Sequence, residues 1–187
     1  LHLCDRRQRQ MCIRDSYNMT KVTVASTVTS IGDGAFADTK LQSYTGMERV
    51  KTFGDYVFQG TDLDDFEFPG ATTEIGNYIF YNSSVKRIVI PKSVTTIKDG
   101  IGYKAENLEK IEVSSNNKNY VAENYVLYNK NKTILESYPA AKTGTEFTIP
   151  STVKTVTAYG FSYGKNLKKI TTVSYTHLRA HETSLHL

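Results

Sequence analysis

The chain has 187 residues, of which 39% are hydrophobic and 22% are charged, and its formal net charge is +4. This length and apolar content predict one folded domain and exclude an intrinsically disordered chain. Residues 17–172 carry 18 basic and 16 acidic side chains without a basic cluster. Because nucleic-acid binding needs a concentrated positive face, this distribution argues against a nucleic-acid partner.

The residue types also argue against catalysis. Every cysteine and histidine lies near one end of the chain: Cys4, Cys12, His2, His177, His181 and His186. Residues 17–172 therefore offer no thiol nucleophile, no imidazole base and no His/Cys zinc site. Three nearby carboxylates, Asp62, Asp64 and Asp65, lack the glycine and the distal glutamate of a calcium loop. We expect a protein that is not an enzyme and that needs no cofactor.

The two ends of the chain resemble translated sequencing adapters rather than protein structure. Residues 11–15 can be encoded by a DNA string whose reverse complement encodes residues 173–177, as in the inverted repeats that flank transposase-made library inserts. Such segments are set aside before the fold is considered. We predict that residues 1–16 are a disordered tail, that residues 173–187 are a second tail, and that the chain is a fragment. The alternative is a basic arm at the start and a polar helix at the end.

A pattern of about 22 residues recurs along the chain. Its apolar anchor returns three times at intervals of 22 and once more after a gap of 59, at Ile31, Phe53, Ile75, Ile97 and Val156. Most anchors are followed by a glycine, which permits a turn, and then by a phenylalanine directed to the interior. Equal intervals are typical of stacked coils, because one coil of this length cannot bury its own apolar face.

Each coil contains a second block, in which a leucine or valine is followed three residues later by a large side chain. The blocks begin at Leu41, Leu63, Val85, Leu108 and Leu167. Their apolar and polar residues alternate, which predicts short strands with one buried face. Prolines end such strands by removing a hydrogen-bond donor, at Pro69, Pro91 and Pro150. The sequence therefore predicts a mainly β solenoid with a parallel strand ladder, over residues 17–113 and, truncated, over residues 147–172.

Residues 114–146 interrupt the repeat. Residues 116–120 are predicted to form a loop, because asparagine and lysine dominate this stretch. Residues 125–128 and 133–138 have strand-like sequences on either side of a turn, which predicts one inserted hairpin. The tyrosines of this insertion are candidates for stacking on a sugar or a peptide: Tyr120, Tyr125, Tyr128 and Tyr138.

The repeat resembles the BspA-type leucine-rich repeats of bacterial cell-surface proteins, whose pattern contains Ile-Pro-x-x-Val-Thr-x-Ile before a glycine and an Ala-Phe pair. Residues 90–97 and 149–153 match this pattern closely. The resemblance covers residues 17–172 and implies a leucine-rich-repeat solenoid of ~22-residue coils with an inserted hairpin. In the fourth copy Gly102 replaces the phenylalanine, and either Tyr103 fills the vacated space or the coil is loosely packed there.

Stacked strands present their outward side chains in ladders about 4.8 Å apart. The charged members form a candidate binding face: Asp64, Asp65, Glu67, Lys86, Arg87, Glu109, Lys110, Glu112, Lys168 and Lys169. The sign alternates along Asp64, Lys86 and Glu109, so neighbouring coils attract each other modestly. These charges either keep the sheet soluble and fix its register or bind a partner.

The resemblance implies a non-catalytic module of a cell-surface or secreted bacterial protein that binds proteins or glycans in adhesion or recognition. The alternative is a passive structural spacer that displays a domain absent from this chain. No stretch of this fragment is long and apolar enough to suggest a membrane span. A pull-down against matrix proteins and glycans separates the two interpretations, because a spacer captures nothing.

Overall fold

The computed structural model describes residues 17–173, which form short strands joined by turns, with no helix among them. In chain order the strands are β1 (Lys21–Thr23), β2 (Ser30–Ile31), β3 (Ser43–Thr45), β4 (Thr52–Phe53), β5 (Asp65–Glu67), β6 (Glu74–Ile75), β7 (Arg87–Ile90), β8 (Thr96–Ile97), β9 (Lys110–Val113), β10 (Tyr120–Glu123), β11 (Val126–Asn129), β12 (Ile134–Ser137), β13 (Glu146–Ile149), β14 (Thr155–Val156) and β15 (Lys169–Thr172).

The strands stack into parallel ladders whose register is the repeat interval. β2, β4, β6 and β8 contain the first four anchors and form one sheet in sequence order. Within it Ser30 pairs with Thr52, and Thr52 pairs with Glu74. The second blocks contribute β3, β5, β7, β9 and β15, which belong to the parallel sheets β1–β3, β5–β7–β9 and β13–β15. The structure therefore confirms the predicted mainly β solenoid of ~22-residue coils.

Apolar side chains fill the space between the ladders. Phe58 is fully buried, and its ring stacks between those of Phe36 and Phe80 at centroid distances of 5.8 and 5.6 Å. Phe53 and Phe66, from an anchor and a second block, pack against Phe58 at 6.0 and 4.5 Å. One phenylalanine at the same position of successive coils thus builds an aromatic column, whose ring contacts add to the stabilisation from burial.

A column of polar side chains fastens the turns after the anchors. The Oδ1 of Asp33 accepts the N–H of Asp55 at 2.8 Å, and the Oδ1 of Asp55 accepts the N–H of Asn77 at 2.8 Å. The Oδ1 of Asn77 in turn accepts the N–H of Asp99 at 3.1 Å. The Nδ2 of Asn77 also donates a hydrogen bond to the Oδ2 of Asp55. This side-chain bond, together with the bond from the Asn77 backbone, lowers the pKa of the Asp55 carboxyl. Side chain–backbone bonds therefore hold successive turns in register.

The insertion is larger than the predicted hairpin. β11 and β12 are the two predicted hairpin strands, and they pair antiparallel. β10, which begins at the last residue of the predicted loop, adds a third strand that pairs antiparallel with β11. β12 then pairs in parallel with β14, where Leu135 lies opposite Val156. The insertion is therefore joined to the following coil by a strand ladder.

Asn117 fastens the insertion to the preceding coil. Its buried Nδ2 donates to the carbonyl oxygens of Pro91 and Val94 at 2.8 and 3.1 Å, and its Oδ1 accepts the N–H groups of Asn119 and Tyr120 at 2.8 Å. We expect Asn117→Ala to lower the free energy of unfolding by about 2 kcal/mol, because buried backbone groups lose their partners. Urea denaturation measures this loss. Asn119→Ala is the control, since it removes one bond of 3.4 Å from an exposed side chain; equal losses would contradict this role of Asn117.

Gly102 is buried because the insertion occupies the space of the missing phenylalanine. A Cβ on Gly102 would lie 2.7 Å from the Oγ of Ser137 and 3.1 Å from the Cδ2 of Leu108. The expectation that Tyr103 fills this space is wrong, because its half-exposed ring lies among other tyrosines, 4.4 Å from that of Tyr159. A chain segment from outside the coil has replaced one side chain of the column.

Candidate functional site

Most of the predicted charged face lies on one sheet, β5–β7–β9, or directly beside it. Lys86 contacts Asp64 with an Nζ–Oδ1 distance of 2.9 Å, as the alternation of sign in this ladder predicts. Arg87 donates to the Oε2 of Glu112 at 2.7 Å, and this hydrogen bond lowers the pKa of the Glu112 carboxyl. All four side chains are at least a third exposed, so solvent screens both pairs and neither stabilises the fold strongly.

Lys168 and Lys169 lie apart from that sheet. β15 pairs with β13, and Lys169 contacts Glu146 at 3.5 Å. The candidate face predicted from the sequence includes these lysines together with Glu109 and Lys110, but the structure places the two pairs of residues on or beside different sheets. The charged face is therefore a patch on three strands, and it does not run the length of the array.

The four tyrosines of the insertion are placed very differently from one another. Tyr128 and Tyr138 are 1% and 4% exposed and belong to the core, which leaves no ring face for a ligand. Tyr120 is half-buried, and its hydroxyl accepts the N–H of Ile97 at 2.9 Å. Tyr125 is 43% exposed, with the Nζ of Lys110 at 5.4 Å from its ring centroid. Of the four, only Tyr125 offers a substantially open ring.

Six other tyrosines form a continuous aromatic surface, named here the tyrosine strip: Tyr56, Tyr78, Tyr81, Tyr103, Tyr159 and Tyr163. Neighbouring ring centroids are 4.4 to 6.1 Å apart. Tyr56 and Tyr163 are 39% and 44% exposed, and the other four are half-buried. The strip crosses successive coils on the turns that follow the anchors.

Turn geometry produces the strip. Tyr56 and Tyr78 occupy one repeat position, both with positive φ, at 56° and 53°, which is uncommon for residues other than glycine. The next coil has Gly100 at this position, and a Cβ there would lie only 2.6 Å from the Cδ1 of Tyr78. The glycine therefore leaves room for the Tyr78 ring, whose hydroxyl donates to that of Tyr159 at 3.0 Å.

Lys104 adds one positive charge to the strip. Its Nζ lies 5.2 Å from the ring centroid of Tyr81 and 5.8 Å from that of Tyr163, within the range of a cation–π interaction. The neighbouring phenols raise the pKa of Lys104, and Tyr81 has the larger effect. The strip thus combines aromatic faces, phenolic hydroxyls and one ammonium group.

The repeat register contained a signal for this strip. Tyr56 and Tyr78 are 22 residues apart, as are Tyr81 and Tyr103. Positions separated by the repeat interval lie on neighbouring coils, so these pairs had to become neighbours. Tyr159 and Tyr163 join them only because the insertion returns the chain to the solenoid, and the interval alone does not predict that return.

The Tyr78 hydroxyl gives a direct test of the strip geometry. Its donated hydrogen bond to Tyr159 is the largest cause that raises the pKa of Tyr78 to about 12. Because ionised Tyr78 loses that donor, we expect Tyr159→Phe to move its pKa back towards 10. Ring-labelled tyrosine NMR during a pH titration measures the value. An unchanged pKa in the variant would contradict the contact.

Among the residues that the structure describes, neither a cluster that could hold a metal ion nor a helix that could span a membrane is present. Within residues 17–173, no group of three or more His, Cys, Asp or Glu side chains is placed to hold a metal ion. The same part of the chain has no helix long and apolar enough to cross a membrane.

Comparison with solved structures finds other repeat proteins. A leucine-rich repeat protein from Eubacterium ventriosum ATCC 27560 is 99% identical with a TM-score of 0.82, over 83% of this chain and 42% of that one. The pneumococcal vaccine antigen PcpA is 21% identical with a TM-score of 0.64, over 82% and 45% of the two chains. A leucine-rich cell surface protein from Faecalibacterium prausnitzii A2-165 is 17% identical with a TM-score of 0.50, over 81% and 60%. The last two show likeness of fold alone.

The chain spans 42% to 60% of the length of these solved chains. No curated protein matches its sequence. The sequence model of the BspA-type leucine-rich repeat region matches residues 9–134 and 132–180, in six copies. Since these copies account for most of its length, the chain belongs to the BspA-type leucine-rich repeat family.

Proposed function

We propose that the chain is part of a non-catalytic recognition module of a cell-surface or secreted bacterial protein, and that it binds glycans through the tyrosine strip. The observation that carries this proposal is the strip itself, in which neighbouring rings lie 4.4 to 6.1 Å apart. The description of one similar structure as a cell surface protein supports the location.

Glycans suit the chemistry of the strip. A tyrosine presents an apolar ring face and a polar hydroxyl on one rigid side chain, so it stacks on the apolar face of a sugar ring and also bonds its hydroxyls. The rings follow the stacking direction of the coils, which favours a polymer of several sugar units over a single one. Lys104 offers an additional donor beside Tyr81 and Tyr163.

The charged patch on β5, β7 and β9 is a second candidate surface, for a protein partner. Asp65, Glu67, Glu109 and Lys110 lie on or beside this sheet without an ion pair among residues 17–173. Charges of this kind steer association and select partners. A module that binds through neither surface would be the passive spacer.

A glycan array probed with the labelled 187-residue chain tests the proposal. We expect binding to a subset of polysaccharides, and a loss of about tenfold or more in the double variant Tyr78→Ala, Tyr103→Ala, because each stacking contact contributes about 1 kcal/mol. Tyr125→Ala is the control, since its ring is more exposed than those of Tyr78 and Tyr103 but lies outside the strip.

Two outcomes would contradict the proposal. Binding that survives the double variant would place the site elsewhere on the chain. Absence of binding to every glycan, by a chain whose melting shows that it is folded, would contradict the glycan proposal and leave a protein-binding module or the spacer. The melting temperatures of the variants are compared first, so that loss of binding is not confused with loss of fold.

A further inference from the structure

One strand ladder of the solenoid is open. The repeat register would pair β3 with β5, as it pairs β1 with β3 and β5 with β7, but β3 and β5 do not pair. No Cα atom of β3 lies within 8 Å of a Cα atom of β5. Paired strands are about 4.8 Å apart, so two strands with a third strand between them are about 9.6 Å from each other. On the anchor side the same coils stay closed, because β4 pairs with both β2 and β6. The opening is therefore confined to one edge of the coils.

Tyr44 holds this opening apart. It stands at the position that Val22, Phe66 and Ile88 occupy in other coils, and its ring packs on Phe66 at 4.8 Å. A half-buried phenol needs hydrogen-bond partners. The Tyr44 hydroxyl accepts the N–H of Glu67 at 3.0 Å and donates to the carbonyl of Glu67 at 3.2 Å. The hydroxyl thus takes the place that the backbone of a neighbouring strand has elsewhere in the ladder.

The facing backbone groups of the opening lack the ladder partners found elsewhere. Asp64 and Phe68 bond to β7, so the alternate residues Asp65 and Glu67 direct their N–H and C=O groups towards β3. The Asp65 groups have no hydrogen-bond partner among residues 17–173, and neither do those of Tyr44 on the opposite edge. Unpaired edges of this kind are where an added strand binds in peptide recognition.

A cavity of about 340 Å³, which is open to solvent, adjoins the opening. Tyr44, Gly46, Glu48 and Glu67 are among the residues that line it. The backbone near Gly46 is packed too closely for any other residue, since a Cβ there would overlap the carbonyl oxygen of Val24. The cavity is large enough for a small apolar side chain of an inserted strand.

The rim of the opening is acidic. Glu48, Asp65 and Glu67 border it, and none has a basic partner within 4 Å among the described residues. By contrast, Lys86 neutralises Asp64, the residue just before β5. Charge complementarity therefore selects an occupant with basic side chains.

We propose that the opening between β3 and β5 binds one extended basic peptide segment of a protein partner. Its backbone pairs with Tyr44 and Asp65, its lysine or arginine side chains face Asp65 and Glu67, and the alternate small apolar side chains face the cavity. The Tyr44 hydroxyl leaves Glu67 when the peptide enters. This site is independent of the tyrosine strip and of the glycan proposal.

A peptide that alternates lysine with valine or alanine is the probe, and fluorescence anisotropy with the 187-residue chain measures its dissociation constant. We expect a peptide with N-methylated backbone amides on one edge to bind about tenfold more weakly, since it keeps the charge but loses ladder hydrogen bonds. The double variant Asp65→Asn, Glu67→Gln also weakens binding. Glu109→Gln, a carboxylate away from the opening, leaves it unchanged.

Tyr44→Ile is the decisive variant, because isoleucine at this position lets other coils close. We expect the variant to lose peptide binding, to keep glycan binding, and to protect the Asp65 amide from hydrogen exchange. In the unsubstituted chain that amide exchanges fast, whereas that of Phe66, which faces β7, is protected. Equal binding of the N-methylated peptide, or binding by Tyr44→Ile as strong as before, would overturn the proposal. So would slow exchange of the Asp65 amide without peptide.

Discussion

Replacing Gly76 with alanine is expected to lower the free energy of unfolding by about 3 kcal/mol, because the new methyl group enters the space of the preceding coil. A Cβ at Gly76 would overlap the carbonyl group of Gly54 and lie 2.7 Å from the Oδ1 of Asp55. Backbone atoms give way poorly, so the two coils must separate. Urea denaturation monitored by circular dichroism measures the loss, which corresponds to about 6–12 °C in melting temperature.

Gly32→Ala is the matched control for this prediction. Gly32 occupies the same repeat position one coil before Gly54, but no atom lies within 4 Å of a Cβ built on it. We expect a change of less than about 0.5 kcal/mol, since a methyl group there meets no neighbour. Equal losses in both variants would show that the backbone conformation of the turn, rather than contact between coils, determines the effect.

Phe58→Ala is expected to cost about 3–5 kcal/mol, the loss typical of a deleted core phenylalanine. The Phe58 ring is fully buried and stacks between Phe36 and Phe80, with further contacts to Phe53 and Phe66. Its removal leaves a cavity that joins three coils. The same denaturation experiment measures the loss, and a broadened transition would show that the coils on either side unfold separately.

Phe36→Ala tests whether position in the column determines that cost. Phe36 has the same repeat position but a half-buried ring with one stacked neighbour, Phe58. We expect a loss of about 1–2 kcal/mol, clearly smaller than that for Phe58→Ala. A loss as large as that for Phe58→Ala would contradict a column whose inner members are stabilised from both sides.

The repeat interval made most of the fold predictable. Ile31, Phe53 and Ile75 recur every 22 residues, and stacking of equal coils then determines which residues pair, as Ser30 and Thr52 do. Composition suggested a loop up to Tyr120, but β10 begins there because its backbone pairs with β11. Long-range pairing of this kind leaves no local signature in a short polar stretch.

The candidate sites were harder to predict, because they depend on departures from the repeat. Tyr128 and Tyr138 looked like surface tyrosines in sequence, but the insertion builds its own small core from them. Tyr44 fits the apolar pattern of its block, and only its hydroxyl, bonded to Glu67, distinguishes it from Phe66 at the same position of the next coil. A pattern of apolar and polar residues does not predict which backbone groups one hydroxyl group will bond.

For the tyrosine strip, by contrast, the sequence contained a usable signal in the spacing of the tyrosines. That spacing becomes informative only when the stacking of the coils is known. The spacing of Tyr56 and Tyr78 predicts adjacency once stacking is assumed, whereas the positive φ that directs both rings outward is not readable from tyrosine itself. The side chains of the charged patch were correctly expected to form cross-coil pairs, as Asp64 and Lys86 do. Their extension to Lys169 was wrong, because the insertion changes which strands are neighbours.

The most direct test of the glycan proposal is a ring-labelled tyrosine NMR titration of the 187-residue chain with a polysaccharide fragment that it binds on the array. The proposal predicts shifts of the strip resonances, those of Tyr56, Tyr78, Tyr81, Tyr103, Tyr159 and Tyr163, at one common dissociation constant. The core residues Tyr128 and Tyr138 stay unchanged. Shifts confined to Tyr120 and Tyr125, or none at a saturating concentration, would contradict it.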